Sequence, residues 1–203
     1  MADILLRDPA CPDICSPGRF GAPATRAGIT FCARTGLTLI DLRGNPQHAE
    51  FLASAQSALG CPLPLEPNTA AAGPECDVLW LGPDAWLLVS NRAGRFNELL
   101  PVERGFVTDV SHGRAALRIS GPCTRELLAK GCGLDLHPWV LHAGQCAQTS
   151  LAHVGVLLHL RDAGGEFDLY CARSYAEHLW HWLTEAASEY GYEVLAPVGA
   201  GDG

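Results

Sequence analysis

The sequence predicts an α+β protein made of two packed ferredoxin-like units, each following a split β-α-β order. Two observations lead there. Between Leu37 and Val110, short apolar runs of strand length and helical stretches fall in the order β-α-β-β-α-β. A comparable order returns between Ala115 and Leu195, as a repeat of element order without sequence identity. The 203 residues, 48% hydrophobic and 18% charged, can bury one large core or two small ones packed together.

Residues 1–27 carry Pro9, Pro12, Pro17 and Pro23 without periodicity, and are expected to form an irregular N-terminal arm. The first unit is expected over 28–110. Ile29 to Ala33 and Leu37 to Leu42 predict strands joined at Thr35-Gly36. Asn45 offers a helix N-cap, Pro46 fits the first helical position, and Gly60 fits the residue past the helix end. Between them Phe51, Leu52, Ala55, Ala58 and Leu59 make one apolar face. Val78 to Leu81 and Trp86 to Val89 flank Gly82-Pro83-Asp84 and predict a hairpin. A short helix near Arg92 to Leu100 and a strand over Gly105 to Val110 complete the unit.

The second unit is expected over 111–196. Ala115 to Ser120 predicts a strand, Gly121-Pro122 a turn, and Pro122 to Lys130 a helix. Strands follow at Cys146 to Ala152, Gly155 to Arg161 and Phe167 to Cys171. Ser174 to Tyr190 predicts a helix, with Ser174 and Glu177 as a capping box and Gly191 closing it. A short strand at Glu193 to Leu195 precedes a flexible tail, 197–203.

Composition excludes several functions. Net charge is −8, the 14 Lys and Arg are scattered, and Lys occurs only at Lys130, so nucleic acid is not an expected partner. No apolar run reaches the ~18 residues of a membrane span, and the first residues lack a signal-like apolar stretch. A cytoplasmic protein is expected. The nine cysteines contain no Cys-x-x-Cys pair and read as reduced core residues. Neither a dinucleotide glycine loop nor a Walker-type loop occurs, so the chain shows no flavin or nicotinamide site of its own.

Four clusters invite chemistry. His178, His181 and Glu185 have the spacing of metal ligands on one helical face, though the same residues make an ordinary polar face. Cys11 and Cys15 could clip a metal, but no second pair accompanies them. Asp109, Ser111 and His112 carry triad residue types without a Gly-x-Ser-x-Gly elbow, and adjacent strand positions point to opposite faces. Lys130-Gly131-Cys132 places a thiol beside a cation, in a pattern that equally describes a helix end. No catalytic, cofactor-binding or metal-binding residue is expected from the sequence.

Several stretches together carry a family resemblance. They are Asp41-Leu42-Arg43-Gly44, Trp80 to Leu88, Asp109 to His112, Ile119 to Pro122, Ala129 to Pro138, Cys146 to Thr149 and Arg173 to Ala176. The segment from Leu39 to Gly191 resembles the folate-binding aminomethyltransferase fold, as in the T-protein of the glycine cleavage system. It is similar, more closely still, to the gamma-subunit family of heterotetrameric sarcosine oxidase. That resemblance implies alpha, beta and delta partner subunits. It implies FAD, FMN, NAD and tetrahydrofolate in those partners, oxidative demethylation of sarcosine or a related N-methyl amino acid, and a gamma chain that assembles instead of catalysing. Aminomethyltransferases carry an acidic pair in the strand that meets folate. Here the comparable run, Val154 to Leu160, holds apolar residues and His159, which implies that this chemistry is absent. A stand-alone folate-dependent protein is the alternative. The five tryptophans, Trp80, Trp86, Trp139, Trp180 and Trp182, are expected to fill the core except for one or two at an interface.

Overall fold

The structure is a computed structural model that describes residues 15–22, 27–91 and 104–199. The helix expected near Arg92 to Leu100 lies outside the described residues, as do Cys11 and residues 200–203 of the tail.

Two antiparallel-dominated sheets organise the chain. The smaller contains β3 (Thr38–Gly44), β4 (Ala70–Ala72), β5 (Asp77–Gly82), β6 (Ala85–Ser90) and β7 (Gly105–Asp109), in the order β4-β5-β6-β3-β7. The larger contains β1 (Gly18–Phe20), β2 (Ile29–Arg34), β8 (Arg114–Ser120), β9 (Cys146–Leu151), β10 (Val154–Leu160), β11 (Phe167–Ala172) and β12 (Tyr192–Val198). Its order is β1-β12-β2-β8-β11-β10-β9. Strand β2, which the sequence groups with the first unit, pairs antiparallel with β8 and parallel with β12, so it belongs to the second sheet. Residues 18–20 of the arm likewise join that sheet, where Phe20 stacks on Tyr192 at 5.3 Å between ring centroids.

Alternation explains the layering. In β3, Ile40 and Leu42 pack beneath α1 (Ala49–Leu59) with Phe51, Ala55 and Leu59, while Leu39 on the opposite face meets the larger sheet. In β10, Val154, Val156, Leu158 and Leu160 pack under α2 (Thr124–Ala129) and α3 (Ala176–Ala187), while Leu157 faces the smaller sheet. The result is four layers: helix, sheet, sheet, helix pair. The layer shared by the sheets is built from Leu39, Leu79, Leu87, Val89, Leu157 and Tyr170. At one corner the sheets are stitched together. The Cys146 amide donates to the Asn68 carbonyl (3.0 Å), and the Gln148 side-chain amide donates to the Leu81 carbonyl (2.6 Å).

Two helix starts differ from expectation. Asn45 does not cap α1: its side-chain oxygen accepts the Gln47 amide (2.9 Å) and its carbonyl accepts the His48 amide (3.0 Å). Those bonds close a turn first, and the helix begins only at Ala49. Its end is as the sequence implies, with Gly60 left-handed at φ 70°. Gly44 is also required, because a Cβ there would collide with the Phe51 ring. The expected capping box at Ser174 and Glu177 does not form. A 3-10 turn over Arg173–Tyr175 leads directly into α3, and no side chain caps either start. Among the described residues, no helix is long and apolar enough to cross a membrane.

Candidate functional site

The most concentrated chemistry of the described residues lies between the sheets, at the mouth of the shared layer. It is assembled by register. Cys146, His159, Asp168, Arg118 and Cys32 are direct cross-strand partners on β9, β10, β11, β8 and β2, so all five project from one face toward the smaller sheet. One row away, Arg34, Ala116, Tyr170 and Leu157 form a second line.

Asp168 is the centre. Only 1% exposed, it accepts from Arg118 Nε (2.8 Å) and Nη2 (2.9 Å) and from Arg34 Nη1 (2.9 Å), with Arg161 Nε at 3.8 Å. Burial works to raise its pKa, but the Arg118 hydrogen bonds and the charges of Arg34, Arg118 and Arg161 outweigh burial and hold the carboxyl below its ordinary value. The same pairing raises Arg118 against its own desolvation. Two of the arginines also reach the smaller sheet. Arg34 Nη2 donates to Asn91 (2.7 Å), just past β6, and Arg161 pairs with Asp77 at the start of β5. The cluster therefore clasps the two sheets where their apolar layer ends.

His159 lies beside this cluster, 4% exposed. Burial, then the Arg161 charge, push its pKa down to about 4, against the opposing pull of Asp77 and Asp168. It is neutral at pH 7, and its Nδ1 has no hydrogen-bond partner; the Tyr170 hydroxyl is also buried without one. The surrounding thiols are equally quiet. Burial raises Cys76 to about 12 and Cys146 to about 11, so neither is a thiolate near neutrality. Outside the cluster opens a cleft of about 510 Å³, lined by Arg34, Arg118, Arg161, Asp77 and Asn91 among others. With Glu166 3.3 Å from Arg118, three carboxylates balance the three arginines, and the pairs of Arg34 and Arg161 fix sheet to sheet. The arrangement presents neither an activated nucleophile nor a base poised near pH 7.

The residues singled out in the sequence lie elsewhere. Ser111 donates to Asp109 (2.5 Å) and accepts the Leu39 amide (2.9 Å), tying the turn to β3, while His112 is exposed. His178, His181 and Glu185 are exposed on α3, where His181 lies 3.8 Å from Glu177. Among the described residues, no group of three or more His, Cys, Asp or Glu is gathered to hold a metal. Cys15 is buried in the core of the larger sheet. Lys130 caps the end of α2 and reaches the end of α3, donating to the Ala186 carbonyl (2.6 Å) and pairing with Glu189; Cys132 Sγ rests 3.6 Å from Thr149. Of the tryptophans, Trp86 and Trp180 are buried, Trp80 and Trp182 half-buried, and Trp139 is 86% exposed.

Sequence reading missed the arginine cluster. Its signal was partly present: Asp168 interrupts an otherwise apolar strand, Arg118 stands between Leu117 and Ile119, and Arg34 ends the mostly apolar run that begins at Ile29. A charge in such a strand needs a partner, but register alone tells which.

Two helix-covered sheets sharing one layer place the chain in the aminomethyltransferase fold class. The glycine cleavage system aminomethyltransferase T from Bartonella henselae superposes with a TM-score of 0.57 at 18% identity, over 81% of this chain and 50% of that one, a likeness of fold. Within that class, the model of the sarcosine oxidase, gamma subunit family matches residues 43–189, and the chain belongs to this family. Sarcosine oxidase subunit gamma from Corynebacterium sp. (strain P-1) is 35% identical over 164 residues, 78% of this chain and 80% of that protein. Its counterpart from Arthrobacter sp. is 34% identical over 175 residues, 83% of this chain and 82% of that protein. Among solved structures, a chain of heterotetrameric sarcosine oxidase from Corynebacterium sp. U-96, in complex with pyrrole 2-carboxylate, superposes with a TM-score of 0.75. That chain is 31% identical, and the match covers 87% of this chain and 90% of that one.

Proposed function

We propose that this chain is the non-catalytic gamma subunit of a heterotetrameric sarcosine oxidase-type complex, and that its work is assembly. The observation that carries the reading is the match, along nearly the whole of both chains, to a chain of a heterotetrameric sarcosine oxidase. The partners are then the alpha, beta and delta subunits. FAD, FMN, NAD and tetrahydrofolate belong to them, the complex oxidatively demethylates sarcosine or a related N-methyl amino acid, and the setting is the cytoplasm. Two split β-α-β units describe the fold, with β2 inserted into the second between β8 and β12.

Tetrahydrofolate is the group that the fold class implies, and the residues do not fit it. Strand β10 offers no carboxylate, and His159 faces the closed inter-sheet layer beside arginines already engaged with Asp168 and Asp77. No step through folate is assigned to this chain. Co-expression with the alpha, beta and delta chains tests the proposal. The chain is expected to co-elute with them in one stoichiometric complex; elution as a lone, stable monomer overturns the assembly reading. Saturable heat on titrating the isolated chain with tetrahydrofolate would favour the stand-alone folate protein instead.

A further inference from the structure

We infer that the layer between the two sheets encloses an ordered water molecule, held by His159 Nδ1 and Tyr170 Oη. The inference is independent of the assembly reading above. His159 is 4% exposed and Tyr170 fully buried, and neither of these atoms meets a hydrogen-bond partner among the described residues. Buried polar atoms are nearly always hydrogen-bonded, to the protein or to water. A buried water in turn needs at least two polar partners, and here two stand side by side.

Register brings them together. His159 on β10 is opposite Asp168 on β11, and Leu157 on β10 is opposite Tyr170. His159 and Tyr170 are therefore diagonal neighbours on the face turned toward the smaller sheet, a spacing within reach of long aromatic side chains. The same three charges, Asp77, Asp168 and Arg161, act on both groups, so both polar tips lie near the inner side of the arginine clasp. Deeper in, the layer turns apolar at Leu79, Leu87 and Leu157. The site is the step between a charged rim and a hydrocarbon floor.

The chemistry of the two groups selects the ligand. Burial, then the Arg161 charge, keep His159 neutral at pH 7, and burial raises the Tyr170 phenol well above its ordinary value. Neither group offers a charge for an ion to balance. The arginines nearby are already met by Asp168, Asp77 and Glu166. An anion or a metal cation would carry an unpaired charge into the layer. Nδ1 of a neutral histidine donates or accepts according to its tautomer, and a phenol does both. Water completes either arrangement, accepting from one group and donating to the other. A direct bond would make water unnecessary, but the two atoms are not within hydrogen-bonding distance.

Two measurements on the full chain test this. A crystal structure that shows ordered solvent is expected to place density within hydrogen-bonding distance of both Nδ1 and Oη. Density on one group alone, an empty gap, or a direct bond between the two overturns the inference. Tyr170→Phe keeps the ring and removes only the hydroxyl. With water in place the variant gives up a satisfied hydrogen bond, so the folding equilibrium constant from urea unfolding should fall about fivefold. A dry hydroxyl would instead cost stability, and a Tyr170→Phe protein as stable as wild type or more so also overturns the inference. In a background of His159→Leu the loss from Tyr170→Phe should shrink, because the water has already lost its second holder. An undiminished loss would mean that the hydroxyl has a different partner, and the bridge would be wrong.

Discussion

Replacing Asp168 by Asn keeps the side-chain volume and removes one charge from the sheet–sheet clasp. The carboxylate is 1% exposed and receives three arginine hydrogen bonds, two from Arg118 and one from Arg34. After substitution Arg34, only 9% exposed, faces the neutral side chains of Asn91 and the new Asn, so its charge is unneutralised. Breaking a buried ion pair from one side costs about 3–5 kcal/mol. Arg118 and Arg161 are roughly a third exposed and can turn partly to water, so the lower end applies, about 3 kcal/mol. For a chain of this size that corresponds to a fall in melting temperature of about 6–12 °C. Urea unfolding of the full chain, followed by the fluorescence of buried Trp86 and Trp180, should show a lower midpoint with an unchanged slope. A triple variant, Asp168→Leu with Arg34→Met and Arg118→Leu, should regain most of the loss, since Arg161 keeps Asp77 as its partner and Glu166, which loses Arg118, is a third exposed and can turn to water. An Asp168→Asn protein within about 1 kcal/mol of wild type would refute the reasoning, because it would mean that water already reaches the cluster.

His159 makes stability depend on acid. Its folded pKa of about 4 lies below the ordinary histidine value, so the unfolded chain binds the proton more readily. The stabilisation is complete above pH ~6.5 and is lost as pH falls toward 4, about 3 kcal/mol in all. Asp168, also depressed, adds loss only at lower pH, below the ordinary carboxylate pKa. Unfolding midpoints measured from pH 7 to 4 should fall for wild type and flatten for His159→Leu; a parallel fall in both would exclude His159 as the cause. Between β9 and β10, Ala152 and His153 both adopt positive φ, at 50° and 65°. Two-residue hairpins of this shape prefer Asn-Gly, so replacing Ala152-His153 by Asn-Gly should stabilise the chain by about 1–2 kcal/mol in the same denaturation assay, and no gain would mean that the turn carries no strain.

Much of the fold was legible because its signals are local. The hairpin across Gly82-Pro83-Asp84, the end of α1 at Gly60 and the apolar face around Phe51 each depend on residues within a few positions of one another. Helix starts were read less well. Asn45 and Ser174 have the right side chains for caps, but each stands in a turn that precedes the helix. The neighbour of β2 could not be read at all, because a strand's alternation tells which face is buried and not which strand lies beside it. The same limit hid Asp168. From sequence it is one acid in an apolar run, and only the pairing of β11 with β8 and β10 brings Arg118 and His159 to its sides. Trp139 was visible as a tryptophan, but its exposure depends on hydrogen bonds around His137 that no periodicity announces.

The placement of β2 also bears on how the protein is made. Ile29 pairs with Tyr192, 163 positions further along the 203-residue chain, and Phe31 pairs with Ile119. A ribosome therefore releases this strand long before either of its neighbours exists. The smaller sheet can form from nearby residues as they emerge, but the larger one cannot close until the last strand is free. Such distant pairing slows folding and leaves an apolar strand with open edges waiting in the meantime. Cutting the chain at the boundary between its two halves would carry β2 away from both of the strands it pairs with.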